Sequence, residues 1–81
     1  MRITIVSDQR EFEGTPLQIV RQMQSLAYGR EQLSVTDYVE WLKGQVERME
    51  EVSLRVEGAT DDEKAASLVA SMVAAGLARA D

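Results

Sequence analysis

The chemistry available to this 81-residue sequence rests on carboxylates, hydroxyl groups, tyrosines and the two lysines Lys43 and Lys64, because cysteine and histidine are absent. Thiolate catalysis, imidazole catalysis, disulfide bonds and zinc sites built on Cys or His are therefore excluded. The sequence also contains no Gly-rich phosphate loop and no nucleophile elbow. We expect a protein that is not an enzyme and that uses no cofactor.

Three consecutive acids, Asp61, Asp62 and Glu63, are the densest group of potential metal ligands. A calcium loop requires spaced oxygen ligands and a glycine at its turn, and this cluster has neither. Thr60 before the cluster and Glu63 three residues later instead fit a capping box, with acids at the positive end of a helix dipole. The sequence predicts a helix start here and no metal site.

Aromatic side chains are the strongest indication of a binding surface. Trp41 lies one position from an apolar seam of the second predicted helix, and Tyr38 lies one helical turn before it. Tyr28 precedes that helix. Since Trp and Tyr are enriched at the energetic centres of interfaces, we predict Tyr38, Trp41 and Tyr28 as partner-binding residues. The alternative is that Trp41 is the edge of the core.

A second possibility is nucleic-acid contact through Arg21, Gln22 and Arg30, on the first predicted helix and the turn that follows it. Two helices joined by a short turn resemble a helix-turn-helix. The second helix, however, presents the acids Asp37 and Glu40, which would repel phosphate. A net charge of −5 also makes nucleic acid an unlikely partner, and it is too mild to favour an acidic mimic of nucleic acid.

These residues must be positioned by a small set of elements. Alternating apolar residues predict strands over 1–6 and 52–57, and a weaker strand over 10–13. Thr15, Ser34 and Thr60 are predicted N-caps of three amphipathic helices. We therefore expect a single α+β domain over 1–81, with a two- or three-stranded sheet, three helices packed on one face, and the order β-β-α-α-β-α. The strand order is left open.

Three features of the sequence indicate the cellular location of the protein. The first apolar run is too short for a signal peptide, and the longest uncharged run, 65–78, is too short to span a membrane. The lack of cysteine fits a reducing compartment. The sequence predicts a cytoplasmic protein that does not have a membrane as a partner.

The segment Phe12-Glu13-Gly14-Thr15-Pro16, followed by Ile19-Val20 and Met23, resembles small uncharacterised bacterial proteins with an E-G-T-P turn before an I-V-x-x-M helix. The resemblance extends to 54–58 and the capped helix that follows. It implies a bacterial origin and an architecture, and it carries over no catalytic or binding residue. Together these observations predict a protein–protein interaction module, whose partner is another protein or a second copy of itself in a homodimer. The alternative is a nucleic-acid-associated regulator.

Overall fold

The fold combines a small antiparallel sheet with three helices. A computed structural model describes residues 1–81. The elements, in chain order, are β1 (Arg2–Ile5), β2 (Glu11–Glu13), α1 (Pro16–Leu26), α2 (Val35–Glu50), α3 (Asp61–Ala74) and β3 (Ala78–Ala80). The predicted α+β class is confirmed, but the predicted order is wrong in its second half, because the last strand follows α3 instead of preceding it.

β1 is the central strand of the sheet, whose order is β2-β1-β3. Both pairings are antiparallel, with Ile3 opposite Phe12 on one side and opposite Ala80 on the other. Ile3 and Phe12 are buried and point toward the helices, whereas Glu11 and Arg79 are exposed. The weak prediction of a strand over 10–13 is therefore confirmed.

One cluster of thirteen buried apolar residues forms the core. All three helices contribute to it, and Ile19 of α1, Val39 of α2 and Leu68 of α3 are essentially fully buried. The helix α3 contacts α1, α2 and β3. It therefore packs against both other helices and against an edge strand of the sheet.

Each helix begins at the predicted N-cap. The hydroxyl of Thr15 accepts a hydrogen bond from the Gln18 N–H at 3.2 Å, and the Gln18 side chain accepts one from the Thr15 N–H at 2.9 Å. Thr60 and Glu63 make the equivalent capping box at the start of α3. The acidic cluster that begins α3 thus has the predicted capping geometry.

The capping carboxylate of Glu63 makes stability depend on pH. It accepts hydrogen bonds from the N–H groups of Ala59 and Thr60 at 3.0 and 3.1 Å, which lower the pKa of Glu63 below its ordinary value of 4.5. This stabilisation is present above about pH 4.5 and is lost as the pH falls through the lower, folded-state pKa. The Glu63→Gln variant keeps a hydrogen-bond acceptor at this position, as Gln18 does in α1. When the pH is lowered from neutral to about 3, we expect this variant to lose less thermal stability than the wild-type protein. Equal losses in melting curves of both proteins would contradict this assignment.

The segment 52–57 is not the predicted strand. It is extended and alternates between inward and outward side chains, but it pairs with no strand. Leu54 is buried, and its N–H donates to Glu47 Oε2 of α2 at 2.9 Å. This hydrogen bond, together with that from the Lys43 ammonium, lowers the pKa of Glu47.

Two serines of α3 bind the other side of this extended segment. Ser67 Oγ accepts from the Glu57 N–H at 2.9 Å and donates to the Arg55 carbonyl at 3.0 Å. Ser71 Oγ accepts from the Arg55 N–H at 3.2 Å and also donates to the Arg55 carbonyl. Two side-chain hydroxyls one helical turn apart on α3 therefore make the hydrogen bonds with this segment that a neighbouring strand would otherwise make.

The third strand is instead formed by Ala78–Ala80, after the chain reverses at Gly76 (φ 79°). Beyond the strand itself, the Val6 N–H donates to the Leu77 carbonyl at 3.0 Å, and the Asp81 N–H donates to the Arg2 carbonyl at 2.9 Å. Local pattern does not predict this strand, because Ala-Arg-Ala has no strand signature.

Candidate interaction surface

Trp41 is partly exposed on α2 and is held between an aromatic and a cationic neighbour. Its ring centroid lies 6.0 Å from that of Tyr38, with the planes tilted by 34°. The guanidinium carbon of Arg30 lies 4.7 Å from the centroid of the Trp41 ring, within the range of a cation–π contact. The tryptophan is thus fixed in place while part of it remains accessible.

The loop between α1 and α2 positions Arg30, and Gln24 holds that loop. Gln24 is buried, and its Nε2 donates to the carbonyls of Arg30 and Leu33 at 2.9 and 2.8 Å. The helical periodicity of α1 predicts Gln24 on the exposed face, which is wrong. The buried amide donates hydrogen bonds to two loop carbonyls to which no helix or strand donates. The spacing of apolar residues in α1 gives no indication of these two bonds.

An apolar groove runs beside α2, and we name it the α2 groove. Its wider part has a volume of about 330 Å³. A narrower part of about 230 Å³ continues past Ile5, Val46 and Met72, which line both parts, toward Glu50. The wall opposite α2 comes from the β1–β2 hairpin and the end of α1. The apolar lining of the wider part includes Ile5, Met23, Leu26, Trp41, Leu42 and Val46.

Large apolar side chains are unusually accessible around this groove. Leu26, which lines the wider part, is 56% exposed. Val6, in the narrower part, is exposed as well. Exposed apolar side chains gathered along a groove are typical of interaction sites.

The two ends of the α2 groove differ in charge. At one end, the guanidinium of Arg30 lies over the Trp41 ring and makes no ion pair. Arg10 and Asp8 line this part of the groove, with Arg10 Nε 3.9 Å from Asp8 Oδ2. Glu50 lines the other end and has no ion pair either. The wider part of the groove is therefore lined by a salt-bridged arginine, and the narrower part is lined by the unpaired carboxylate of Glu50.

The three aromatic residues predicted from sequence have different environments. Trp41 lines the wider part of the α2 groove and is partly exposed, and its contact role stays a prediction. Tyr38 is 2% exposed, and burial raises its pKa to about 12; it is a core residue beside Trp41 that also lines the floor of the wider part, and its contact role stays a prediction. Tyr28 is fully exposed in the loop after α1 and lines no part of the groove.

The residues predicted for nucleic-acid contact are not gathered into one patch. The Gln22 side-chain amide donates to the Glu13 carbonyl at 2.8 Å, which ties it to β2. Arg21 lines a polar cavity that also contains Asp61, and Arg30 lies on Trp41. The three side chains thus have three different sets of neighbours.

Comparison with known protein families, with curated proteins and with solved structures found no match. No helix combines the length and apolar character needed to cross a bilayer. The geometry of the α2 groove is therefore the main guide to function.

Proposed function

We propose that this protein is a small protein–protein interaction module that binds its partner through the α2 groove. The observation that supports this most directly is the partly exposed Trp41, held by Arg30 and Tyr38 at the edge of an apolar channel. Tryptophan and arginine are enriched at the residues that dominate binding energy. Exposed Leu26 provides a further apolar contact beside them.

The proposal does not include catalysis. The two carboxyl groups with altered pKa values, Glu47 and Glu63, are both shifted downward by hydrogen bonds that hold backbone segments in place. A general acid at neutral pH requires the opposite shift. We also infer a cytoplasmic location, because a sequence without cysteine fits a reducing compartment, and a bacterial origin, from the E-G-T-P resemblance.

Truncation of Trp41 tests the binding role. We expect Trp41→Ala to weaken partner binding roughly tenfold or more, because the largest apolar contact of the groove is removed. Binding is measured as capture from a native lysate of the source organism and as self-association by light scattering. The far-UV circular dichroism spectrum should stay that of the folded protein. If Trp41→Ala unfolds the monomer, Trp41 is a core residue and its assignment to the interface fails.

A second variant and a matched control separate the groove from the rest of the surface. Leu26→Glu places a charge at the exposed rim of the groove and should also weaken binding. Ala66→Glu places the same charge on the exposed side of α3 and should leave binding unchanged. Equal effects of both variants would contradict the choice of the α2 groove.

A nucleic-acid-associated regulator that uses Arg21, Gln22 and Arg30 is the alternative function. The dispersed surroundings of these side chains and the net charge of −5 give it less support. Fluorescence of the single tryptophan, beside Arg30, would report binding of duplex DNA at low salt. Binding that weakens steeply as salt is added would favour this alternative.

A further inference from the structure

The two edges of the sheet differ in how they meet another strand. Its edge strands are β2 and β3. At the β2 edge, the Gln22 side-chain amide of α1 already donates to the Glu13 carbonyl at 2.8 Å. A second copy paired antiparallel there would also set Glu11 and Glu13 against like charges. The β2 edge is therefore protected against self-pairing, and attention moves to β3.

The hydrogen bonds of β3 show which of its backbone groups are free. The Leu77 carbonyl and the Asp81 N–H both bond to β1. Because backbone groups along an antiparallel strand face its two sides alternately, Arg79 also faces β1, whereas Ala78 and Ala80 face the free edge. Ala78 is only 3% exposed, but Ala80 is exposed. The N–H and carbonyl of Ala80 are therefore the accessible groups of this edge.

We propose that β3 pairs antiparallel with β3 of a second copy of this chain, about a two-fold axis at Ala80. The Ala80 N–H of each copy donates to the Ala80 carbonyl of the other. Arg79 then lies directly opposite Asp81 of the second copy, and the symmetry makes this pair occur twice. This surface is separate from the α2 groove, so the inference does not rest on the proposed function.

The charges of β3 select a second copy as its partner. Arg79 and Asp81 are both exposed, and neither makes an ion pair within its own chain. The Arg79 guanidinium has one polar contact, with Gln9 Oε1 at 3.3 Å. A strand that presents a cation and, two residues later, an acid on the same face is complementary to an antiparallel copy of itself. The other register, which pairs Ala78 with Ala80, would set the two Arg79 side chains against each other and would need the buried edge of Ala78.

Pairing at Ala80 would also cover apolar surface. Ala80 lines an apolar cavity of about 400 Å³ together with Met1 of the sheet end and Val69 and Val73 of α3. Met1 is 53% exposed. Since Ala80 lies at the proposed axis, the cavities of the two copies adjoin. The α3 side chains at the outer rim are small, as at Ala70, and so leave room for the second copy.

Charge reversal on β3 tests the pair. Light scattering over a range of concentrations should show a dimer for wild type. Arg79→Glu and Asp81→Arg should each weaken the dimer roughly tenfold or more, because each sets two pairs of like charges opposite one another. A one-to-one mixture of the two variants should restore it, as should the double variant, because opposite charges then face each other again. The controls Arg21→Glu and Glu40→Arg reverse exposed charges on α1 and α2, and they should dimerise like wild type.

The variant Ala80→Pro tests the backbone hydrogen bonds separately. It removes an N–H that β1 does not use, on an edge strand, where proline is tolerated. We expect this variant to abolish the dimer while melting curves followed by circular dichroism keep the transition of a folded monomer. If proline unfolds the chain, the charge variants still decide, since rescue in their mixture requires two folded partners.

The remaining outcomes separate this pair from the proposed function. A monomer at every concentration overturns the pair, and so does a dimer that resists both charge reversals. Loss of the dimer in both single variants without rescue in the mixture overturns the register of Arg79 opposite Asp81. A dimer that is weakened by Trp41→Ala and not by the β3 variants belongs to the α2 groove, which overturns the pair and supports the proposed function. Failure of the proposed function is judged from capture of another protein, which the β3 variants do not affect.

Discussion

Replacing Leu68 with alanine is expected to lower the free energy of unfolding by about 2–5 kcal/mol, the range found for large-to-small changes at buried leucines. Leu68 is fully buried on α3, the helix that contacts α1, α2 and β3. The loss combines the transfer energy of the removed methyl groups with the cavity left behind. In a domain with so few buried residues, a loss of this size is a large part of the total stability.

Urea unfolding followed by circular dichroism measures this loss, at a protein concentration low enough that association does not contribute. Leu26→Ala is the matched control, because it removes the same atoms from a leucine that is 56% exposed. The control should change the free energy of unfolding by about 0.5 kcal/mol or less. Similar losses in the two variants would show that α3 does not hold the centre of the fold.

Local signals in the sequence were sufficient for the helix starts and the first hairpin. Thr15, Ser34 and Thr60 each accept the hydrogen bond expected of an N-cap. These predictions hold because a cap depends on residues three positions apart, whose interaction is decided locally. Pro16 at the first position of α1 adds a signal of the same local kind.

The third strand shows where local pattern fails. Alternation over 52–57 correctly indicated an extended segment with Leu54 inward, but alternation does not specify which groups satisfy the backbone. Here Ser67 and Ser71 of α3 occupy the edge that a neighbouring strand would use. The sheet instead takes Ala78–Ala80 as its third strand, because pairing with the central strand outweighs the low strand propensity of alanine.

The candidate surface was predictable in part. The helical spacing placed Trp41 beside the buried seam, and the structure has it at the edge of the α2 groove. The same spacing could not separate it from Tyr38, which lies one helical turn away and is buried. The contact of Arg30 with Trp41 depends on how the preceding loop folds, and that loop is held by the buried amide of Gln24. Such contacts between distant residues leave no periodic signature.

Gly58→Ala is expected to destabilise the protein by roughly 1–3 kcal/mol or more, the scale of strain at a sparsely populated backbone conformation. Gly58 has φ +135°, a region that side chains with a Cβ rarely adopt. An added Cβ would lie 2.5 Å from the Glu63 Cβ and 3.0 Å from the Lys64 backbone nitrogen. Because these atoms belong to the first turn of α3, relief of the clash would disturb the capping box of Thr60 and Glu63.

The same substitution at Gly44 provides the control for this prediction. Gly44 lies inside α2, and an added Cβ there would meet no other atom within 4 Å. Gly44→Ala is therefore expected to stabilise the protein by about 0.5–1 kcal/mol, since alanine loses less backbone entropy in a helix. Urea unfolding of the two variants should shift the midpoint in opposite directions. If Gly58→Ala matched Gly44→Ala, the turn before α3 would adopt a different backbone from the one described, and the extended segment would enter α3 along another path.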